Sequence, residues 1–77
     1  MTENSKKSLD LRGVPCPLSF VRAKLYLERI GSGEVLEVLL DAGEPIEQVP
    51  NSLAVDGYQI QKIEPREHFF ALMVQKA

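Results

Sequence analysis

A chain of 77 residues makes one domain, and with 44% hydrophobic residues, one cysteine and a formal charge of −2 it must hold together by ordinary packing. A lone cysteine closes no internal disulfide and cannot by itself build a zinc site, so a reducing, cytoplasmic setting is expected, without metal or cofactor. Nine basic against eleven acidic side chains argue against direct binding to nucleic acid, and no apolar stretch reaches the length of a membrane span.

The first residues, Met1-Thr2-Glu3-Asn4-Ser5-Lys6-Lys7, are polar with no apolar signal-peptide core behind them. A disordered tail, 1–7, is expected ahead of a single domain, 8–77. Ser8-Leu9-Asp10-Leu11 alternates polar and apolar and reads as a short strand ended by Gly13. A helix follows Pro17 and runs to Ile30, with a core stripe of Phe20, Ala23, Leu27 and Ile30 and a stop at Gly31-Ser32-Gly33. Leu18, Val21 and Leu25 fall on another arc of that helix, read either as a docking surface or as part of a wide buried face.

Glu34 to Asp41 is a strongly apolar strand, and a helix between two strands this close in sequence implies a parallel right-handed crossover. Ile46, Val49 and Leu53 keep helical spacing, but Pro50 interrupts, so a broken helix with Pro45 and Pro50 each starting a segment is expected. Asp56-Gly57 ends it. Tyr58 to Glu64 and Glu67 to Lys76 then form two strands joined tightly through Pro65-Arg66. The order β-α-β-α-β-β predicts an α+β fold, a two-layer α/β sandwich with a mixed four-stranded sheet and two helices on one face. The last strand is apolar on both sides, Phe70, Leu72 and Val74 on one and Phe69, Ala71 and Met73 on the other. An open apolar sheet face points to a partner or to weak self-association; coverage by twist and loops is the alternative.

The chemistry concentrates at Gly13-Val14-Pro15-Cys16-Pro17-Leu18-Ser19, where strand gives way to helix. Pro17 lacks an N–H and fits the first helical position, while it pushes Cys16 into the extended conformation of an N-cap residue. The positive end of a helix favours an anion, here a thiolate or persulfide. Roughly 0.3 to 2 kcal/mol from the helix end is enough to take a thiol with a reference pKa near 8.5 toward half ionisation at neutral pH. Arg12, Arg22 and Lys24 lie near Cys16 in sequence and either add to this field, meet an acidic partner, or are simply solvated. His68 is a candidate general base, but its place at a hairpin reads better as a surface residue. With no second cysteine to resolve a persulfide, any sulfur on Cys16 must leave to another molecule.

From Leu9-Asp10-Leu11-Arg12-Gly13-Val14-Pro15-Cys16-Pro17, the chain resembles the TusA/SirA/YedF family of small sulfur carriers over nearly all of Ser8 to Ala77. Gly31-Ser32-Gly33-Glu34, Asp41, Val49-Pro50 and Gly57-Tyr58 extend the match. The resemblance implies a two-layer sandwich whose Cys16 takes a persulfide sulfur from a cysteine desulfurase or rhodanese-like donor and relays it to an acceptor protein. Such relays serve tRNA thiolation, molybdenum-cofactor maturation or sulfur metabolism, and the chain would act as a relay rather than as a stand-alone enzyme. Gly13, Pro17 and Ser19 would support the helix start, and Arg12, Leu18, Arg22 and Asp41 would face partners. The family motif is Cys-Pro-X-Pro, and Ser19 stands at its last position, bringing a backbone N–H and a hydroxyl that can both donate to an anion. Two other readings compete: a non-catalytic binding or regulatory module, and an oxidoreductase like the monothiol glutaredoxins, which Cys16-Pro17-Leu18-Ser19 and Val49-Pro50 also resemble.

Overall fold

The computed structural model describes residues 7–15 and 17–76. Its elements are β1 (Lys7–Asp10), α1 (Leu18–Arg29), β2 (Val35–Asp41), α2 (Glu44–Val55), β3 (Gln59–Pro65) and β4 (Phe69–Gln75). Lys7 therefore begins the first strand instead of closing a tail, and Leu11 lies just past it. β1 and β2 are parallel, as a helical crossover requires, with Leu9 opposite Val38. β4 then inserts between β2 and β3, antiparallel to both, so the sheet order is β1-β2-β4-β3.

Strand alternation sends Leu36, Val38 and Leu40 of β2 and Leu72 and Val74 of β4 to one face, where Ala23, Leu27 and Ile30 of α1 and Val49 and Leu53 of α2 pack against them. These residues form one core, most of them with no exposed surface. Both helices lie over this face, giving the expected two-layer α+β arrangement.

α1 differs from expectation at its start. Pro17 holds the N-cap position, with φ −91 and ψ 5, and Leu18 is the first helical residue. The core stripe begins with Ser19, which is fully buried four residues before Ala23, while Phe20 packs half-buried at its margin. At the other end, Lys76 Nζ donates to the carbonyl oxygens of Ile30 (2.8 Å) and Glu28 (3.2 Å), satisfying acceptors that a helix end leaves open.

α2 is continuous rather than broken. Pro45 sits in its first turn, where a missing N–H costs nothing, and Pro50 lies inside the helix. Pro50 is buried together with Val49 and Leu53, so packing of that face on the sheet holds the helix across the lost hydrogen bond. The helix ends where expected: Tyr58 N–H donates to the Leu53 carbonyl (3.1 Å) and Gly57 N–H to that of Ala54 (3.0 Å), with Gly57 at φ 97. That pair of bonds is a Schellman stop, which needs the left-handed conformation glycine supplies.

The outer sheet face is not bare. Ala71, on that side of β4, has no exposed surface, because long polar side chains lie across it. Arg66 reaches both Glu64 (2.7 Å) and Glu37 (3.3 Å), Lys62 pairs with Glu64 (3.2 Å), and the Arg12 guanidinium stacks 4.5 Å above the Phe69 ring. Of the two expectations for this face, cover is the one seen at Ala71, while Leu39, Phe69 and Met73 remain half-buried.

Candidate functional site

The segment between β1 and α1 is built by local turns. Leu11 N–H extends the sheet by donating to the Leu39 carbonyl (2.9 Å), and its side chain, 1% exposed, plugs the core. Val14 N–H then turns back to the Leu11 carbonyl (3.1 Å) through Gly13, whose φ of 82 a side chain would strain. Asp41, at the end of β2, fixes this turn: its Oδ2 accepts the Gly13 N–H at 2.6 Å. Asp41 is thus a loop anchor within the chain, not a free surface carboxylate.

Arg12 is committed in the same way. Its Nε and Nη2 donate to Asp10 Oδ1 (2.9 Å) and Oδ2 (2.7 Å), while its backbone N–H also meets Asp10 Oδ1 (3.0 Å). This fork lowers the Asp10 carboxyl from 3.8 to about 2, first through the Arg12 side chain and then through its backbone. Arg12 in turn rises, chiefly through Asp10 with a smaller contribution from Asp41. Lys24 pairs with Asp56 (3.0 Å), at the end of α2. Each of the two cations thus has a carboxylate partner among the described residues.

Cys16 lies outside the described residues, and so does its expected role as helix cap. The residues that flank it, Pro15 and Pro17, are both exposed. Ser19 N–H donates to the Pro15 carbonyl (3.0 Å) and Val21 N–H to that of Pro17 (3.1 Å). The amide that Ser19 brings in place of a motif proline is consequently used by the backbone and not offered to an anion. Its hydroxyl is buried without a hydrogen-bond partner among the described residues. Leu18 and Arg22 are exposed on α1. His68 is exposed in the β3–β4 hairpin, which Arg66 N–H closes onto the Phe69 carbonyl (2.8 Å).

An open cleft of about 330 Å³ lies between residues 13–15 and the β2–α2 connection, with Asp41 and Glu44 on its acidic side and Val14 and Pro15 opposite. Sequence reasoning missed Asp10 as the partner of Arg12, although the two stand two residues apart. It also missed the burial of Ser19, which the spacing 19, 23, 27 carries.

A mixed sheet under two helices, with a proline-flanked cysteine between the first strand and the first helix, defines a SirA-like α+β domain. A solved SirA-like protein from Desulfitobacterium hafniense matches it with a TM-score of 0.76 at 25% identity, over 92% of this chain and 96% of that one. The family model described as Sulfurtransferase TusA matches residues 7–76, and the chain belongs to this family. Among its relatives is a protein of Archaeoglobus fulgidus named "Putative sulfur carrier protein", 35% identical over 88% of this chain and 78% of the relative. One of the same name from Thermotoga maritima is 36% identical over 75% and 73% of the two chains, and the Escherichia coli relative YedF is 29% identical over 88% of each.

Proposed function

We propose that this chain is a sulfur carrier that holds sulfur as a persulfide on Cys16. One observation carries the reading: the only cysteine in the chain lies in the Cys-Pro element of a family match that spans residues 7–76. The Cys16 thiolate attacks the terminal sulfur of a donor persulfide; a new sulfur–sulfur bond forms, the donor's own sulfur–sulfur bond breaks, and the donor departs as a thiolate. In the second half the acceptor's nucleophile attacks the terminal sulfur on Cys16, and the Cys16 thiolate leaves. No net oxidation occurs in the exchange between thiols, and no base within the chain is needed.

The donor is a cysteine desulfurase or a rhodanese-like protein, the acceptor is a second protein, and the setting is a reducing cytoplasm. The sulfur passes onward to tRNA thiolation, molybdenum-cofactor maturation or sulfur metabolism. Gly13 and Asp41 hold the turn before the cysteine, and Pro17 and Ser19 support the helix start. The test is intact mass after incubation with a cysteine desulfurase and free cysteine. One added sulfur atom is expected on the wild type and none on Cys16→Ser. A wild type that gains no Cys16-dependent sulfur from any persulfide donor would overturn the carrier; glutathione-dependent reduction of a mixed disulfide would then favour the oxidoreductase, and its absence the binding or regulatory module.

A further inference from the structure

Ser19 is the one polar side chain among the described residues with no exposed surface, and its hydroxyl has no hydrogen-bond partner there. It stands in the core stripe of α1, four residues before Ala23 and eight before Leu27, where packing alone asks for an apolar side chain. A hydroxyl withdrawn from water without a partner opposes folding, so its place calls for an acceptor that none of the described residues supplies. Ser19 is the second residue of α1, and a helical Cα–Cβ bond tilts toward the N-terminus, which directs the side chain back to the start of the helix. Cys16 precedes it by three residues, the spacing at which helical side chains are neighbours, and the bond from Ser19 N–H to the Pro15 carbonyl (3.0 Å) spans that stretch. Pro17 at the N-cap makes no side-chain hydrogen bond and the first turn of α1 holds no acidic residue, so the positive end of the helix has no negative partner among the described residues. The charged groups nearby do not provide a donor. Arg12 is held by Asp10 and Lys24 by Asp56, Arg22 is exposed on α1, and Asp41 and Glu44 line the cleft beside residues 13–15, where they disfavour a further negative charge. With the Ser19 amide used by Pro15, the buried hydroxyl is the donor that remains.

We propose that the Ser19 hydroxyl donates to the Cys16 sulfur in its thiolate form, stabilising the anion that attacks when sulfur is loaded and departs when it is unloaded. The role rests on the carrier reading. In the thiol form the hydroxyl has no charged acceptor; ionisation supplies one, and the bond then formed favours the thiolate. The two half-reactions feel this differently. A thiol that ionises more easily is more often a thiolate at neutral pH, but each thiolate is a weaker nucleophile, whereas as a leaving group it is always better. The serine therefore favours release of sulfur to the acceptor. A proline at this position, as in the family motif, offers no donor.

Exchange between Cys16 and oxidised glutathione tests the hydroxyl without any donor protein. Cys16 and one glutathione form a mixed disulfide, the second glutathione leaves as a thiolate, and intact mass follows the rate from about pH 5 to about pH 10. In Ser19→Ala the midpoint of the profile rises by about one unit, as loss of a hydrogen bond to a charged group predicts. The plateau above both midpoints rises about threefold, because the less stabilised thiolate is the better nucleophile. Ser19→Thr, which keeps the hydroxyl, stays with the wild type. After charging with glutathione persulfide, cyanide takes the terminal sulfur as thiocyanate and the Cys16 thiolate leaves; Ser19→Ala does this more slowly than the wild type. Equal midpoints and plateaus in wild type and Ser19→Ala, with unchanged circular dichroism, overturn the role of the hydroxyl and leave the carrier. A shift that Ser19→Thr shares overturns it too, since packing and not the donor is then responsible. A wild type that exchanges with oxidised glutathione yet gains sulfur from no persulfide donor overturns the carrier reading, and the midpoint of Ser19→Ala still decides the hydroxyl.

Discussion

At the scale of single residues, the turn before Cys16 is held by carboxylates rather than by a preformed cluster of positive charge. Asp10 is the sharpest case, since Arg12 lowers its carboxyl from 3.8 to about 2. The folded value lies below the unfolded one, so its contribution to stability is complete above about pH 4 and disappears as the pH falls through about 2. A carbon-detected NMR titration of the Asp10 carboxyl should place its midpoint near 2, and Arg12→Ala should return it to the ordinary carboxylate range; a midpoint unmoved by that substitution sinks the pairing. Ser19 presents the opposite situation, a hydroxyl removed from water with no partner among the described residues. Such a group costs about 1–3 kcal/mol. Ser19→Ala keeps the backbone bond to Pro15 and the helix, so urea denaturation should show a gain of about 1 kcal/mol, with no change in the slope. A loss of stability would mean that the hydroxyl has a partner in solution.

At the scale of elements, period and punctuation made most of the fold legible, and tertiary packing decided the rest. Leu27 and Ala23 declared the buried side of α1 through their spacing, and Asp56-Gly57 declared the end of α2 because only glycine completes that stop cheaply. Pro50 misled, since local chemistry predicts a break and only the burial of Val49, Pro50 and Leu53 against the sheet overrides it. Phe69, Ala71 and Met73 left two readings open, an exposed apolar face or a covered one, for a related reason. Which face of a strand lies open depends on side chains from elsewhere, here Arg12 and Arg66, whose reach across the sheet is set by strand order and not by their neighbours in sequence. The same holds for the site: Cys16 and its prolines were legible as a motif, whereas the Asp41–Gly13 bond joins residues 28 apart and follows from the pairing of β1 with β2.

At the scale of the whole molecule, β4 governs the fold. It pairs with both β2 and β3 and brings Ala71, Leu72 and Val74, all with no exposed surface. Without it β3 has no neighbour and the core loses one of its walls. A chain ending after Pro65 should therefore remain unfolded, with a far-UV circular dichroism spectrum of disordered chain and no cooperative urea transition; cooperative unfolding of that fragment would show that β1, β2 and the helices suffice. Sheet order also bears on synthesis. The cysteine and the turn that precedes it leave the ribosome before β2, and Asp41, which anchors that turn, sits on a strand whose central partner, β4, follows only after α2 and β3. A nascent chain thus exposes its single thiol well before the scaffold around it can close, and the interval lasts until β4 has been translated. With no second cysteine among these residues to trap the first, that interval is when the thiol is most open to unintended oxidation.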